Sequence, residues 1–162
     1  MKNICLLDLN YTLVGNQADT RLLRPFPRRM AAEEYRADLI EAIRDDYVII
    51  VTARPDYQMR QTMENIKKKT GWQPDEWYFN DINGEPPVFK ERALKNWIFP
   101  KHGEQDGPKG AHYYAVESNP KTRTMYKRYG IEAAPYDMFM KKRLAPQPVM
   151  AQEPECFQLK MF

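Results

Sequence analysis

Short apolar segments alternate along this chain with segments in which an apolar residue recurs at every third or fourth position. The apolar segments lack the polar alternation of a half-exposed strand, so they predict strands that are buried on both faces of a parallel sheet. Four segments of this kind and a weaker fifth one occur at residues 4–9, 47–52, 77–79, 112–116 and 131–134.

The segments between the strands have the spacing of amphipathic helices. They are found at residues 31–45, 56–69, 88–99 and 119–129. In the first of them, Tyr35, Leu39 and Ile43 form one apolar stripe. The last has the best-defined ends, because Asn119 is a favourable N-cap and Gly130 is a favourable C-terminal stop. This alternation predicts an α/β fold, a three-layer sandwich with a parallel, Rossmann-like sheet of about five strands and helices on both faces.

Two regions fall outside the alternation. Glycine, proline and charged residues mark residues 100–111 as a surface loop. From Leu144 onward proline is frequent and no helical period is present. We therefore expect one domain at residues 1–143, followed by a Pro-rich linker and C-terminal tail at residues 144–162. The end of that tail, residues 156–162, is apolar enough to dock on the domain or on a partner.

Composition narrows the class of protein. The chain has 162 residues, of which 43% are apolar and 29% charged, and this suits one folded domain rather than a disordered chain. No apolar run approaches the roughly 20 residues of a membrane-spanning helix, and an acid follows the first short apolar stretch, unlike in a signal peptide. Cys5 and Cys156 lie at opposite ends of the chain, which argues against a disulfide framework or a zinc site. We expect a cytoplasmic protein with no membrane partner. The net charge of +3 is too small to indicate nucleic-acid binding by itself.

Polar residues follow three of the predicted strands, at the edge where open α/β sheets bind ligands. The three segments are Asp8-Leu9-Asn10-Tyr11-Thr12, Thr52-Ala53-Arg54-Pro55 and Glu117-Ser118-Asn119-Pro120. Two acids that converge from different strands repel each other unless a cation lies between them, and carboxylate and carbonyl oxygens are the ligands of Mg²⁺. A threonine hydroxyl and a nearby helix N-terminus can bind a phosphate. The pattern therefore indicates a metal-dependent phosphoryl site.

These segments resemble the motifs of the haloacid dehalogenase-like (HAD) superfamily of aspartyl-phosphate hydrolases. The resemblance covers about residues 3–140. The family's Asp-x-Asp-x-Thr motif corresponds to residues 8–12, its Thr or Ser motif to Thr52, and its acidic motif to Glu117. Its lysine motif corresponds to Lys90, with Lys95 as the second choice. More narrowly, residues 52–130 resemble the phosphatase domain of phage polynucleotide kinase, through Ala53-Arg54-Pro55, Met59-Arg60 and the Lys90 helix.

The resemblance implies a role for each matching residue. Asp8 is the nucleophile that accepts the phosphoryl group, and Thr52 and Lys90 bind its oxygens. Mg²⁺ is held by Asp8, by the backbone carbonyl of Asn10 and by Glu117. Asn10 departs from the family pattern, because the family has an aspartate there as general acid and base. An amide cannot exchange that proton, so we expect slow turnover or none.

A second departure is Ser118, which stands where an acid often supports the metal. Several further residues are candidates with an ordinary structural alternative. Arg54, Arg60 and Arg92 could clamp a second phosphate or a nucleotide, or could form surface ion pairs. Tyr11 could stack on a base or pack against the domain. Ala53 belongs to the substrate-binding segment by its position.

Four more residues have an ordinary interpretation that weighs against a site role. His102 and His112 are interpreted as structural or solvent-exposed residues. Thr52 alone could be a helix cap, and Lys90 alone could be a surface lysine.

The segments that could hold a substrate-selecting cap are short. Neither the stretch after Val14 nor the one after Asn80 is long enough for a folded cap, although residues 21–29 could form a basic flap. An open site with arginines beside it favours a nucleotide or a nucleic-acid terminal phosphate as substrate. The alternatives are a degenerate hydrolase that binds a phosphorylated small molecule without turnover, and an interaction module whose tail (residues 153–162) docks a partner or builds a homo-oligomer.

Overall fold

The structure, a computed structural model, describes residues 1–145 and contains one five-stranded sheet. All strand pairs are parallel, and the strand order is β3-β2-β1-β4-β5. The strands are β1 (Lys2–Leu7), β2 (Tyr47–Pro55), β3 (Glu76–Asn80), β4 (Ala111–Val116) and β5 (Glu132–Ala134). The predicted α/β class, the parallel sheet and the number of strands are therefore confirmed.

Eight α-helices lie between and after the strands of the described region. They are α1 (Gln17–Thr20), α2 (Phe26–Ala32), α3 (Ala37–Ile43), α4 (Met59–Thr70), α5 (Pro86–Ala93), α6 (Phe99–His102), α7 (Pro120–Arg128) and α8 (Tyr136–Leu144). Short non-α turns occupy Leu9–Leu13, Asp56–Gln58 and Leu94–Ile98. Within residues 1–145, no helix is long and apolar enough to cross a membrane.

The sheet separates two hydrophobic cores, which makes the domain a three-layer sandwich. On one face, Phe89 of α5 and Met125 of α7 pack against alternate residues of the central strands. On the other face, α3, α4 and α8 cover the remaining strand residues, with Leu39 and Ile66 fully buried. Strands that are covered on both faces need apolar residues at every position, which explains the unbroken apolar runs of the sequence.

The expectation of one helix over residues 31–45 is wrong. The segment contains the end of α2, an extended connection and α3. Tyr35, predicted to lie on a helical stripe, forms an isolated antiparallel bridge with Val14, and Gly15 donates its backbone N–H to the Glu34 carbonyl at 2.9 Å. The backbone of this connection thus pairs with the loop that follows β1 instead of forming helical hydrogen bonds.

Other differences lie near the ends of elements. Leu9 belongs to the turn after β1 and not to the strand, and the predicted loop at residues 100–111 begins inside α6. Helix α8 was not predicted; it buries Met140 and ends at Leu144. Cys5 is fully buried in β1, and burial raises the pKa of its thiol to about 12. The predicted tail, with Cys156 and residues 153–162, lies outside the described residues.

Candidate active site

The first and fourth strands deliver two acids to the same edge of the sheet. Strands β1 and β4 are neighbours, and their register pairs Leu7 with Val116. The next residues are Asp8 and Glu117, and Asp8 donates its backbone N–H to the Val116 carbonyl at 3.0 Å. The switch in strand order occurs between these two strands, because β2 and β3 lie on one side of β1 and β4 and β5 on the other. Such a switch point is where open α/β sheets bind ligands.

A buried lysine joins the two carboxylates. Lys90 of α5 donates from Nζ to Asp8 Oδ1 at 2.9 Å and to Glu117 Oε2 at 2.7 Å. The side chains of all three residues are at most 6% exposed. Burial alone would lower the pKa of Lys90, but the charges of Asp8 and Glu117 outweigh it and raise that pKa. The ammonium is therefore held in its charged form between the two acids.

Burial acts on Glu117 in the opposite sense. It raises the pKa of the Glu117 carboxyl, and the nearby charge of Asp8 adds to that effect, while the ion pair with Lys90 opposes it. Both oxygens of Glu117 accept hydrogen bonds, Oε2 from Lys90 and Oε1 from the backbone N–H of Asn119 at 3.1 Å. The hydrogen bonds of this arrangement fit a carboxylate rather than a carboxylic acid.

The turn after β1 wraps around the carboxylate of Asp8. Thr12 donates from Oγ1 to Asp8 Oδ2 at 2.9 Å. Tyr11 has a left-handed backbone conformation, with φ of 60°, and its side chain is 47% exposed. A positive φ is unfavourable for a residue with a large side chain. Here it allows the chain to reverse so that Thr12, four residues after Asp8, can reach back to the acid.

Ser118 lies between two oxygens of this turn. Its Oγ is 2.7 Å from Asp8 Oδ2 and 3.1 Å from the backbone carbonyl oxygen of Asn10. The backbone N–H of Ser118 also donates to Asp8 Oδ2, at 3.3 Å. One hydroxyl hydrogen cannot serve both oxygens at once. Asp8 Oδ2 and the Asn10 carbonyl are thus close enough together to share one electropositive ligand.

Asn10 is fixed on its other side by Arg54 of β2. Arg54 donates from Nε to Asn10 Oδ1 at 2.9 Å, from Nη2 to Glu33 Oε2 at 2.6 Å and from Nη1 to Thr62 Oγ1 at 3.2 Å. Because an arginine N–H can only donate, the Asn10 amide must present its oxygen to Arg54. Arg54 is 2% exposed, so its guanidinium is part of the wall of the site.

Glu33 pairs with Arg54 in this wall. It is fully buried and accepts hydrogen bonds from Arg54 and, through Oε1, from Tyr35 at 2.8 Å. Arg29 Nε lies 3.7 Å from Glu33 Oε2 and makes no hydrogen bond within the described chain. Burial and the neighbouring charge of Arg54 lower the pKa of Arg29. Two guanidinium groups therefore surround one carboxylate.

The remaining β2 candidates lie at the same edge of the sheet. Thr52 is fully buried, and its Oγ1 accepts a hydrogen bond from the backbone N–H of Arg54 at 3.1 Å. Ala53 is half-buried between them. The pairing of β2 with β3 becomes irregular between Val51 and Pro55, which frees this stretch from the ladder.

Other candidates lie away from this cluster. Arg60 is on an exposed face of α4, where it pairs with Glu64 at 3.1 Å. Arg92 forms a surface ion pair with Asp81 at 2.7 Å, and Lys95 is exposed.

The two histidines lie at the opposite edge of the sheet, where strands begin. His102 contacts Glu76 at the start of β3, and His112 at the start of β4 contacts Asp106. Their interpretation as structural residues fits this placement.

Three further residues complete the cluster. The motif positions of Thr12 and Ser118 do not predict their hydrogen bonds to Asp8, and Glu33 carries no functional expectation within the predicted helix at residues 31–45. No local signal marks Glu33, because it stands beside Glu34 and ahead of the stripe formed by Tyr35, Leu39 and Ile43.

The donor set can be compared with what Mg²⁺ requires. Within residues 1–145, no group of three or more His, Cys, Asp or Glu side chains has the arrangement of a metal site. Oxygens of the kind that Mg²⁺ prefers lie close together at Asp8 Oδ2 and the Asn10 carbonyl, which are 2.7 Å and 3.1 Å from Ser118 Oγ. Glu117 is linked to Asp8 through Lys90. Two carboxylates with one carbonyl agree with the oxygen preference of this ion.

Comparisons with known proteins bear on the fold. No family model matches the sequence. No curated protein matches it either. Among solved structures, the chain is similar to one in the "Structure of the Pnkp1/Rnl/Hen1 RNA repair complex", with a TM-score of 0.58 and 13% sequence identity. The similarity covers 84% of this chain and 43% of that chain, so this chain spans less than half the length of its structural neighbour. At this low identity, the shared feature is the α/β fold.

Proposed function

We propose that this protein is a Mg²⁺-dependent phosphohydrolase that acts on the terminal phosphate of a nucleotide or of a nucleic-acid end. The observation that carries the proposal is the buried cluster in which Lys90 bridges Asp8 and Glu117 at the switch point of the sheet. One oxygen of the buried Asp8 carboxylate is held by hydrogen bonds, and the other is paired with a cation. Such a carboxylate is suited to nucleophilic attack on phosphorus. The order of motifs along the chain, which resembles that of HAD hydrolases, supports the same chemistry.

The reaction has two displacements. An Asp8 oxygen attacks the phosphorus, the bond from phosphorus to the leaving oxygen breaks, and its electron pair stays with the leaving group. Water then attacks the aspartyl-phosphate, the bond from phosphorus to Asp8 breaks, and its electron pair returns to the carboxylate. The water proton passes to solvent, and inorganic phosphate is released.

Three residues of the site have different roles in this reaction. Oδ2 of Asp8 accepts from Thr12 and Ser118, so its orientation is fixed and Oδ1 is the attacking oxygen. Lys90, bonded to that Oδ1 at 2.9 Å, is placed to offset the charge that develops on the transferred oxygens. Thr52 offers its hydroxyl to the same group.

Mg²⁺ would be held by Asp8, the Asn10 carbonyl and Glu117. When bound, it supplies positive charge that keeps the phosphate from repelling the Asp8 carboxylate. Ser118 takes the place of a further acid, and this leaves the donor set with two carboxylates. A set with fewer negative charges binds a divalent cation more weakly, so we expect Mg²⁺ to bind only weakly without substrate.

The substrate class rests on the charge beside the site. Arg21 and Arg24 are exposed in the segment that leads into α2, and Arg28 is exposed on that helix. Arg29 of the same helix approaches the Glu33–Arg54 pair. Positive side chains at an open entrance attract polyanions. The similarity of fold to a chain of an RNA repair complex agrees with a nucleic-acid end as substrate.

A second candidate function follows from Asn10. Its amide is bonded to Arg54 and cannot supply a proton to a leaving group, so the site could bind a phosphorylated ligand without turning it over. The test below separates this function from hydrolysis, because binding without turnover leaves the ligand intact.

Phosphate release with Mg²⁺ tests the hydrolase proposal. Wild type should release phosphate from a panel of nucleotides and phosphorylated oligonucleotides, and Asp8→Asn should release none. The matched control is Asp19→Asn, the same change at an exposed residue, which should keep the wild-type rate. A parallel thermal-unfolding series should show that Mg²⁺ with product phosphate stabilises wild type more than Asp8→Asn. Equal rates in wild type and Asp8→Asn would remove Asp8 from the mechanism.

A further inference from the structure

The leaving oxygen of a phosphate ester needs a proton if it is to depart as an alcohol. Our inference rests on the proposed function and concerns the leaving groups that the site can release. General acid help of this kind contributes about 10²–10⁴-fold to a rate. A leaving group that is stable as an anion does not need it. The proton donors around Asp8 therefore determine the class of substrate.

Asn10, which stands where the HAD resemblance implies a proton donor, is an amide held in one orientation by Arg54. Arg54 is 2% exposed and donates from Nε to Asn10 Oδ1. The Asn10 amide therefore cannot rotate by 180° without breaking this hydrogen bond. Asn10 can offer a leaving oxygen only the hydrogen bond of its Nδ2 group. It can stabilise an anion there but cannot protonate it.

The neighbouring groups do not replace the missing acid. Both oxygens of Glu117 accept hydrogen bonds, from Lys90 and from the Asn119 backbone, so a hydrogen bond from Glu117 to a leaving oxygen would compete with these contacts. Thr12 and Ser118 are neutral hydroxyls whose contacts are with Asp8. Both histidines lie at the opposite edge of the sheet.

Charge behind Asn10 favours a leaving group that is itself an anion. Arg54 and Arg29 contribute two positive charges against the single negative charge of Glu33. Arg29 is 8% exposed, and its Nε has no hydrogen-bond partner in the described chain. In a buried position such a surplus is weakly screened, so it stabilises negative charge that develops next to Asn10.

We propose that the preferred phosphoryl donor is a phosphoanhydride, such as the terminal phosphate of a nucleoside triphosphate or of a 5′-triphosphorylated nucleic-acid end. Asp8 attacks the terminal phosphorus, and the bond to the bridging oxygen breaks. The electron pair stays on the bridging oxygen, and the remaining chain of phosphates departs as an anion without a proton from the protein. Water then hydrolyses the aspartyl-phosphate as described above.

The test compares one oligonucleotide in two forms, with a 5′-triphosphate and with a 5′-monophosphate, and adds acetyl phosphate as a third donor. Acetate also departs without a proton but lacks the second phosphate. Wild type should use the triphosphate at least about 100-fold better than the monophosphate in kcat/KM. Acetyl phosphate should react with a similar kcat and a higher KM than the triphosphate.

Replacement of the amide by an acid gives the decisive comparison. Asn10→Asp should raise kcat/KM, which reports the steps up to departure of the leaving group, by about 10²–10⁴-fold for the monophosphate and by less than about tenfold for the triphosphate. The matched control, Asn96→Asp, makes the same substitution at an exposed residue and should leave both rates unchanged. Thermal unfolding of each variant should show that the domain remains folded.

Three results would overturn the inference. They are equal use of both oligonucleotide forms by wild type, an equal gain for both in Asn10→Asp, and a kcat/KM for acetyl phosphate that matches that of the triphosphate. These three results leave the proposed function standing. A wild type that hydrolyses none of the donors, or an Asp8→Asn variant that hydrolyses them as fast as wild type, overturns the proposed function and this inference with it.

Discussion

Replacing Glu33 by glutamine should destabilise the domain far more than its position in a connecting segment suggests. The Glu33 side chain is fully buried, accepts a 2.6 Å hydrogen bond from Arg54 and a 2.8 Å hydrogen bond from Tyr35, and lies 3.7 Å from Arg29. Glutamine has nearly the same shape but no charge. Glu33→Gln therefore leaves two guanidinium groups in a buried site without a counter-charge.

Breaking a buried ion pair by removing one partner costs about 3–5 kcal/mol. For a chain of this size, each kcal/mol lowers the melting temperature by about 2–4 °C, so Glu33→Gln should melt about 6–20 °C below wild type. The assay is urea and thermal unfolding, followed by circular dichroism at neutral pH. The urea series gives the free energy of unfolding and shows whether the transition remains cooperative.

The matched control is Glu64→Gln, which removes the carboxylate of an exposed ion pair with Arg60. Their side chains are 67% and 88% exposed, and such pairs contribute about 0–1 kcal/mol. A double-mutant cycle adds Arg54→Met and Arg54→Met combined with Glu33→Gln. The two losses should be non-additive by about 0.5–3 kcal/mol, because the residues are in direct contact.

Equal small losses in Glu33→Gln and Glu64→Gln would refute the reasoning. Such a result would mean that the wall beside Asn10 does not depend on the carboxylate. Strictly additive losses in the double-mutant cycle would refute the pairing of Glu33 with Arg54 in particular.

Three further predictions concern other parts of the domain. Burial alone would raise the pKa of Glu76, but hydrogen bonds led by those from Tyr47 and Tyr78 lower it to about 2. The free energy of unfolding of wild type should therefore fall as the pH falls from about 4.5 to about 2. Urea titrations at each pH should show that Glu76→Gln lacks this part of the loss. Asn119→Ala removes the N-cap side chain that accepts hydrogen bonds from two backbone N–H groups of α7. Urea unfolding should show a loss of about 1 kcal/mol in the free energy of unfolding, and Asn119→Asp should lose less. Equal losses in the two variants would argue against capping. Lys90→Met removes the cation between the two site acids and should lower phosphate release at least about 100-fold, and a near-wild-type rate would exclude a catalytic role for this lysine.

The sheet and its two cores could be predicted from the sequence because burial on both faces leaves a local signature. Strand β2 and strand β4 are apolar wherever they are covered, so their existence and order follow from runs of neighbouring residues. The break between α2 and α3 has no such signature. It depends on the pairing of Tyr35 with Val14 and of Glu33 with Arg54, residues that are far apart in the chain.

The candidate site was predictable only in part for the same reason. The positions of Asp8 and Glu117 after strands indicated these two acids, and the resemblance to HAD motifs indicated Lys90. The structure brings all three into direct contact. The contact of Ser118 with Asp8 spans residues that are distant in sequence, and only the fold shows it. Arg60 is the opposite case. Glu64 stands four residues after it on the same helix face, a spacing that favours a surface pair.

The central claim is that the Asp8 carboxylate becomes covalently phosphorylated. The most direct measurement is acid quenching of wild-type protein during turnover of a phosphoanhydride with Mg²⁺, followed by protease digestion and mass mapping. The account predicts that the peptide containing Asp8 gains the mass of one phosphoryl group, and that this species rises and decays at rates consistent with turnover. Phosphate release with an unmodified Asp8 peptide at every time point, or with the phosphoryl group on another residue, would contradict the account.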